Sequence, residues 1–258
     1  MKRLAYAVLL GMALTVANAA EPSVDEIIEK ANQAAYYAGK DGRADVKMVI
    51  EDGKGGTRVR AFAILRLNVG GGDQKFYVYF KSPADVRKMA YLVWKHVDRE
   101  DDRWLWLPAL NLKKQIAPGD KRTSFVGSDF LYEDVSGRGT TDDVHELVET
   151  TDTAYLVKNT PKDAASVAFS YYNVWIDKKT FLPLKAEYYD KNGTLYRRVE
   201  ANKIETLQGY PTVVESVASD LKTGSSTRNL FSNVKYDLGL KERIFTERFL
   251  RRPPREVR

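Results

Sequence analysis

The stretch TRVRAFAILRLNV, residues 57–69, decides the fold class. Apolar side chains occupy every second position from Val59 to Val69, and arginines stand at two of the positions between them. Successive side chains of a strand point to opposite faces of a sheet, so this period of two predicts a long β-strand.

Strands of the same kind lie on both sides of this stretch. Residues 44–51 alternate before a turn at 53–56, and residues 75–80 alternate after a glycine-rich turn at 70–73. Turns this short connect neighbouring antiparallel strands, so the three strands form a meander. Further strands are predicted over 90–97, 103–107, 111–117, 144–150, 154–159, 167–176, 183–190, 194–207, 211–220 and 225–236.

One helix precedes the first strand. Ser23 and Glu26 form a capping box, in which each side chain bonds the backbone N–H of the other residue. Apolar residues follow at helical spacing from Val24 to Ala35, and Gly39 ends the segment. The sequence therefore predicts a helix whose apolar side lies on a core.

About a dozen antiparallel strands are too many for one flat open sheet, because sheets twist and large ones curl. Such a sheet closes into a barrel or folds over something that fills its concave face, and the N-terminal helix is one candidate. No change of composition and no linker interrupts residues 20–258. We expect a mostly-β, α+β fold in a single domain.

The first residues have the pattern of an export signal. Lys2 and Arg3 precede the apolar run 4–16, and Ala17-Asn18-Ala19 matches the small residues that signal peptidase recognises. The alternative, a membrane anchor, needs about 20 apolar residues. We predict a signal peptide over residues 1–19, cleaved near Ala19, and a periplasmic mature protein.

Composition disfavours most catalytic chemistry. The 258 residues include no Cys and two His, which excludes thiolate metal sites and cysteine nucleophiles. No nucleophile elbow, phosphate-binding glycine loop or zinc spacing occurs. The acidic run 98–102 is interpreted as a solvated turn, and His96 and His145 as isolated residues. The sequence predicts a protein that is not an enzyme and has no metal and no cofactor.

The formal charge of +6 invites a nucleic-acid interpretation. The basic residues are spread along strands among carboxylates, and an exported protein rarely meets nucleic acid. We therefore predict no nucleic-acid partner.

Two interruptions of the strand pattern, residues 81–88 and 118–140, lie close in sequence to many aromatic residues. Long loops in compact domains are usually functional and often act as lids. Ser128 or Asp129 is predicted to cap a short helix bearing Phe130 and Leu131. The predicted lid residues are Phe125, Phe130 and Leu131.

The aromatic and aliphatic residues around these interruptions form either a plain core or a cavity for an apolar ligand. If there is a cavity, the directions of the three tryptophans depend on register, since a one-residue shift reverses them. The side chains predicted to point to the concave side and line the cavity are Met48, Leu65, Phe76, Val78, Phe80, Trp94, Trp104 and Trp106.

Four stretches resemble the outer-membrane lipoprotein-sorting proteins, relatives of the lipoprotein carrier LolA. The most specific of them is SFVGSDF, residues 124–130. The others are DRWLWLPAL at 102–110, FKSPAD at 80–85 and FTERFLRR at 245–252. The resemblance extends over nearly the whole chain after residue 19.

The resemblance implies an unclosed half β-barrel, a large curled antiparallel sheet with helices covering its concave face. It also implies a carrier that shields acyl chains of a lipoprotein or another lipid on the way to the outer membrane. An inner-membrane transporter of the resistance-nodulation-division (RND) class and an outer-membrane acceptor are the implied partners. The alternative is a periplasmic sensor or regulatory module that binds lipoprotein or a membrane partner. A hydrolase and an integral membrane barrel are disfavoured.

Overall fold

The computed structural model describes residues 21–258, so the predicted signal peptide, residues 1–19, lies outside the described residues. Residues 21–258 contain three α-helices: α1 (Val24–Tyr36), α2 (Tyr132–Ser136) and α3 (Arg248–Arg251). The strands are β1 (Asp41–Glu51), β2 (Thr57–Asn68), β3 (Gln74–Ser82), β4 (Ala90–Lys95), β5 (Asp102–Leu107), β6 (Leu112–Gln115), β7 (Asp143–Thr150), β8 (Ala154–Pro161), β9 (Tyr171–Asp177), β10 (Pro183–Tyr189), β11 (Leu195–Leu207), β12 (Tyr210–Asp220) and β13 (Ser225–Tyr236).

All thirteen strands belong to one antiparallel sheet, in the order β6-β5-β4-β3-β2-β1-β13-β12-β11-β10-β9-β8-β7. The outermost strands are β6 and β7, and the sheet does not close between them. This confirms the expected large antiparallel sheet in an unclosed barrel. Within residues 21–258, no helix has the length and apolar character needed to cross a membrane.

Helix α1 forms as its sequence predicts and covers one end of the sheet. The Ser23 hydroxyl accepts a hydrogen bond from the Glu26 amide at 3.3 Å, and the Glu26 carboxylate accepts one from the Ser23 amide at 2.8 Å. The buried side chains of Ile27 and Ala31 pack against β8 and β9. The last turn is held by Gln74, whose Nε2 donates to the Tyr36 carbonyl at 2.7 Å.

The segment between β6 and β7, residues 116–142, is here called the strap. It crosses the face of the sheet that also carries α1, and Phe125 and Tyr132 pack there on Tyr91 of β4. Its short helix, α2, begins at Tyr132.

The predicted cap of the strap helix is wrong. Phe130 and Leu131 precede α2, and the Asp134 carboxylate accepts from the Leu131 amide at 2.7 Å. Asp129 does not cap a helix, because its carboxylate accepts from the hydroxyls of Ser225 and Thr227 on β13 at 2.5 Å and 2.6 Å.

The opposite, convex face of β2–β5 is covered by the C-terminal segment, residues 238–257. Phe245 and Leu250 of this segment are fully buried against it. The carbonyl of Phe245 accepts from Trp94 Nε1 at 2.7 Å, and that of Phe249 accepts from the Tyr77 hydroxyl at 2.7 Å. These strands are therefore buried on both faces.

The double burial corrects four of the predicted cavity residues. Phe62 and Ile64 of β2 point to the concave face, whereas their neighbours Ala63 and Leu65 point to the convex face. Since apolar residues occupy both faces, alternation alone does not say which face encloses a cavity. The residues predicted on the concave side that instead contact the C-terminal segment's cluster are Leu65, Trp94, Trp104 and Trp106.

Replacing Phe245 by Ala should destabilise the whole domain. Its ring is completely buried, and removing a buried Phe costs about 3–5 kcal/mol. Urea unfolding followed by tryptophan fluorescence measures the loss. The control is Arg243→Ala at an exposed position nearby, which should change stability by less than about 0.5 kcal/mol. Equal stabilities of the two variants would contradict an integral role for the C-terminal segment.

Candidate functional site

A cavity of about 510 Å³ lies between the concave face, α1 and the strap. Most of its wall is apolar. The side chains that form the apolar wall include Met48, Phe62, Ile64, Phe76, Val78, Phe125, Phe130, Val174, Val199 and Phe231. A cavity of this size and character is typical of a site for an apolar ligand.

The cavity exists because the sheet curls strongly. Ile64 of β2 and Val174 of β9 both line it, although six strand-to-strand steps separate their strands. Six steps in a flat sheet would span roughly 30 Å. The sheet must therefore fold round on itself to bring these two side chains to one cavity.

The structure places the predicted site residues in three groups. Met48, Phe76 and Val78 line the cavity, together with the strap residues Phe125 and Phe130. Phe80 lies on the same face but beneath Phe125, with ring centroids 5.8 Å apart. Among the predicted lid residues, Leu131 does not line the cavity. The four predicted cavity residues that face the convex side do not line it either: Leu65, Trp94, Trp104 and Trp106. Whether the lining residues bind a ligand remains a prediction.

One side of the cavity wall is polar. Arg138 Nη2 lies 2.8 Å from Asp143 Oδ1, and the hydroxyl of Tyr172 donates to Asp143 Oδ2 at 2.7 Å. Glu133 pairs with both Arg138 and Arg122. Each charge in this group has a partner of opposite sign, as buried charges require.

The polar wall perturbs the ionisation of its members. Burial lowers the pKa of Arg138, but the hydrogen bond and negative charge of Asp143 outweigh it and raise the pKa above its ordinary value. Burial raises the pKa of Tyr172, and the charge of Asp143 raises it further. Arg138 therefore stays charged and Tyr172 stays neutral at physiological pH, so the wall keeps its hydrogen bonds.

Polar contacts with β2, β11 and β13 help to fasten the strap to the sheet. Arg60 of β2 donates to the carbonyl of Val126, and Arg197 of β11 forms an ion pair with Asp134. On β13, the Thr227 hydroxyl donates to Asp129. Burial lowers the pKa of Arg197, but the nearby Asp134 outweighs it and raises the pKa above its ordinary value, so the guanidinium stays charged.

Arg60 and Arg197 are site residues that the sequence does not reveal. Each stands in an alternating strand, where an arginine normally faces solvent, and each has its partner more than 60 residues away. The one sequence feature that could have indicated a role for Arg60 is its position among the apolar residues of the 57–69 stretch.

The residues considered for catalysis have structural partners. His96 lies between Asp73 and Asp102, at 2.9 Å and 3.2 Å. His145 Nδ1 lies 2.7 Å from the amide oxygen of Asn159. The part of the chain that the structure describes holds no group of three or more His, Asp or Glu able to bind a metal ion.

An unclosed sheet curled round an apolar cavity defines the class of fold. It is the fold of a LolA superfamily protein from Nitrosomonas europaea, which superposes with a TM-score of 0.69 at 20% identity, covering 89% of this chain and 100% of that one. The expected LolA-like fold is confirmed.

The family follows from a sequence match. A family model described as "Uncharacterized protein" matches residues 72–252, which is more than half of the chain, so the chain belongs to that family. A DUF1329 family protein from Desulfovibrio piger has a similar structure, with a TM-score of 0.80 and 29% identity over 88% of this chain and 97% of that one.

The chain is also similar to a solved protein domain of the lipoprotein-sorting type. An outer membrane lipoprotein-sorting protein domain from Vibrio parahaemolyticus superposes with a TM-score of 0.79 at 28% identity, over 87% of this chain and 97% of that one. The resemblance to the lipoprotein-sorting proteins is thereby confirmed. No curated protein sequence matches the chain.

The Asp134–Arg197 pair should show strong energetic coupling. The side chain of Arg197 is 6% exposed, and breaking a buried pair costs about 3–5 kcal/mol, since it leaves an uncompensated charge. A double-mutant cycle of Asp134→Ala and Arg197→Met, measured by urea unfolding, should give a coupling above about 1 kcal/mol.

The exposed pair Lys203–Glu205 provides the matched control. Its side chains are 62% and 44% exposed, so the coupling between Lys203→Met and Glu205→Ala should be much weaker than that of the Asp134–Arg197 pair. If the two cycles give the same coupling, the Arg197 contact does not fasten the strap.

Proposed function

We propose that this protein is a periplasmic carrier that holds acyl chains of a lipoprotein or another lipid in its cavity during transfer toward the outer membrane. The observation that carries the proposal is the apolar cavity of about 510 Å³ under the strap. The similarity to a lipoprotein-sorting protein domain at 28% identity supports it. The proposal includes no catalytic step and no cofactor.

An acyl chain needs such a cavity because its exposure to water costs a large free energy. A 16-carbon acyl chain has about 14 methylenes, and burying them is worth roughly 11 kcal/mol. A chain of that length does not cross water unaided. The cavity wall formed by residues such as Met48, Val78 and Val199 replaces the contacts that the acyl chain makes in a membrane.

A carrier must also release its cargo, so part of this free energy has to be offset. We propose that the strap is the lid. Phe125 and Phe130 line the cavity, are 2% and 8% exposed, and pack on the concave face. Moving them to admit an acyl chain breaks these apolar contacts, which reduces the net binding free energy and makes release possible.

The partners in this proposal come from the family resemblance. An RND-type inner-membrane transporter would deliver or receive the cargo, and an outer-membrane acceptor would take it. The predicted signal peptide over residues 1–19 supports a location of the mature chain between these two membranes.

Replacing Phe130 by Asp should weaken the binding of a fluorescent fatty acid. The charge would stand in the apolar wall, where an unpaired carboxylate is strongly unfavourable. We expect affinity to fall at least tenfold, equivalent to about 1.4 kcal/mol. Titration of the labelled fatty acid into each purified variant measures it.

The control is Val144→Asp, at a position that is 57% exposed on β7 and does not line the cavity. It should bind like the wild type. Circular dichroism and thermal unfolding identify any variant that has lost its fold. If Phe130→Asp stays folded and still binds the probe, Phe130 is not a binding or lid residue.

Lipid should co-purify with the protein from its native cell. Mass spectrometry of an organic extract identifies the bound molecule and separates lipoprotein acyl chains from free lipid. A purified protein that contains no lipid and takes up no fluorescent fatty acid would rule out a carrier, leaving a regulatory binding role as the alternative.

A further inference from the structure

The sheet contains a gap between two neighbouring strands. β12 and β13 are paired from Glu215–Leu230 to Asp220–Ser225, and the pairing stops there. Beyond this point, β12 continues to pair with β11, and β13 continues to pair with β1. Residues 211–214 and 231–235 therefore face each other without ladder hydrogen bonds, and we call this gap the window.

Irregularities in three adjacent strands coincide at the window. β11 carries an extra residue at Asn202, and β12 carries one at Val214. On β13, Asn233 and Val234 together oppose Ala44 of β1, and Asn233 has a φ of 49°. Bulges bend a strand and interrupt its pairing, so three of them at one level separate the strands.

The window has a definite lower end. The side chain of Gln208, in the turn between β11 and β12, bonds both backbone groups of Tyr236: its Oε1 accepts from the amide at 2.8 Å and its Nε2 donates to the carbonyl at 3.3 Å. The Thr212 hydroxyl and the Tyr236 hydroxyl are 2.8 Å apart. The gap is thus bounded at both ends rather than being a frayed edge.

Pro211 is consistent with an unpaired position. Proline has no backbone N–H, and in sheets it is confined to places where no ladder bond is required. Its position in β12, an interior strand of the sheet, fits the window and would be unfavourable in a continuous ladder.

The window lies between the cavity and a depression on the outer surface. On the concave side, Val213 and Val234 line the cavity. On the convex side, a second depression of about 410 Å³ is lined by Leu207, Val214 and Leu230. Phe231 and Val234 line both, so these two half-buried side chains form the wall between the cavity and the outer depression.

We propose that the window is a second opening of the cavity, through which the free end of a long acyl chain passes to the convex surface. This inference rests on the proposed carrier function and deepens it by naming a subsite that sets chain length. An apolar chain suits the opening, because the wall that it would displace consists of Phe231 and Val234.

The polar residues at the outer rim are also compatible with the free end of an acyl chain in the window. Lys203, Glu205 and Ser232 stand around the outer depression and are exposed, so a polar headgroup at this side would be solvated in any case. The apolar side chains within the depression are buried favourably only by an apolar ligand. The free end of the chain, not the headgroup, therefore occupies the window.

Chain-length dependence tests the proposal. In the wild type, affinity for saturated fatty acids from 10 to 18 carbons should rise by roughly fourfold for each methylene that becomes buried. The variant Val234→Trp fills the window from β13, so its affinity should stop rising at a shorter chain. Isothermal titration of the series measures both curves.

A cross-link provides a second route that does not change the wall. The chain has no Cys, so Glu205→Cys with Ser232→Cys creates the two reactive thiols on opposite rims of the outer depression. When a short bis-maleimide joins the two thiols, affinity should stop rising at a shorter fatty acid, as in the Val234→Trp variant. The matched control joins Arg198→Cys and Ser226→Cys, which span the same three strands where the ladder is intact.

The outcomes separate the two proposals. Binding of short chains with an unchanged length profile in both the Trp variant and the cross-linked protein would overturn the window and leave the carrier intact. Failure of the wild type to bind any fatty acid would overturn the carrier function itself. A shortened profile in the window cross-link, with a wild-type profile in the control cross-link, supports the second opening.

Discussion

The antiparallel pairing of β1 with β13 joins the two halves of this molecule. It runs from Gly42–Tyr236 to Glu51–Ser226, between segments almost at opposite ends of the described chain. It makes one sheet from two meanders, β1–β6 and β7–β13, and places β6 and β7 at the two outer edges. The connection from β6 to β7 must therefore cross the open side of the curled sheet. The strap is the consequence of this topology, and so is the cavity beneath it.

Local pattern was sufficient for most of the secondary structure. The capping box at Ser23 and the alternation in β1–β3 predict elements whose determinants lie within a few residues. The side chains that point to the concave side of a strand can be predicted only where a single face of that strand is apolar. The prediction for Trp94 and Trp104 is wrong because the C-terminal segment buries the convex side as well, and contacts so distant in sequence leave no periodic signal.

The candidate site was predictable in its apolar part and not in its polar part. Met48, Phe76 and Val78 follow from alternation in strands that face a core. Arg197 and its partner Asp134 lie 63 positions apart on different elements. An arginine in a strand and an aspartate in a connecting segment do not by themselves predict an ion pair. The window was equally hidden, since it depends on bulges that appear only when the register of neighbouring strands is known.

In the proposed carrier, the polar and apolar contacts of the strap have different effects: the polar contacts fix its position, and the apolar contacts can be exchanged for those of a ligand. A buried ion pair such as Asp134–Arg197 adds little net free energy relative to apolar packing, because desolvation offsets most of the attraction. It does fix position, since a wrong placement would leave Arg197 buried without a partner. The contacts of Phe125 and Phe130 provide the larger apolar term, and an acyl chain can replace that term because it offers the same kind of surface. In the proposed carrier, the polar contacts of Val126 and Asp129, which lie between Phe125 and Phe130, therefore keep the register of the strap on the sheet while the two phenylalanine side chains give way to the ligand.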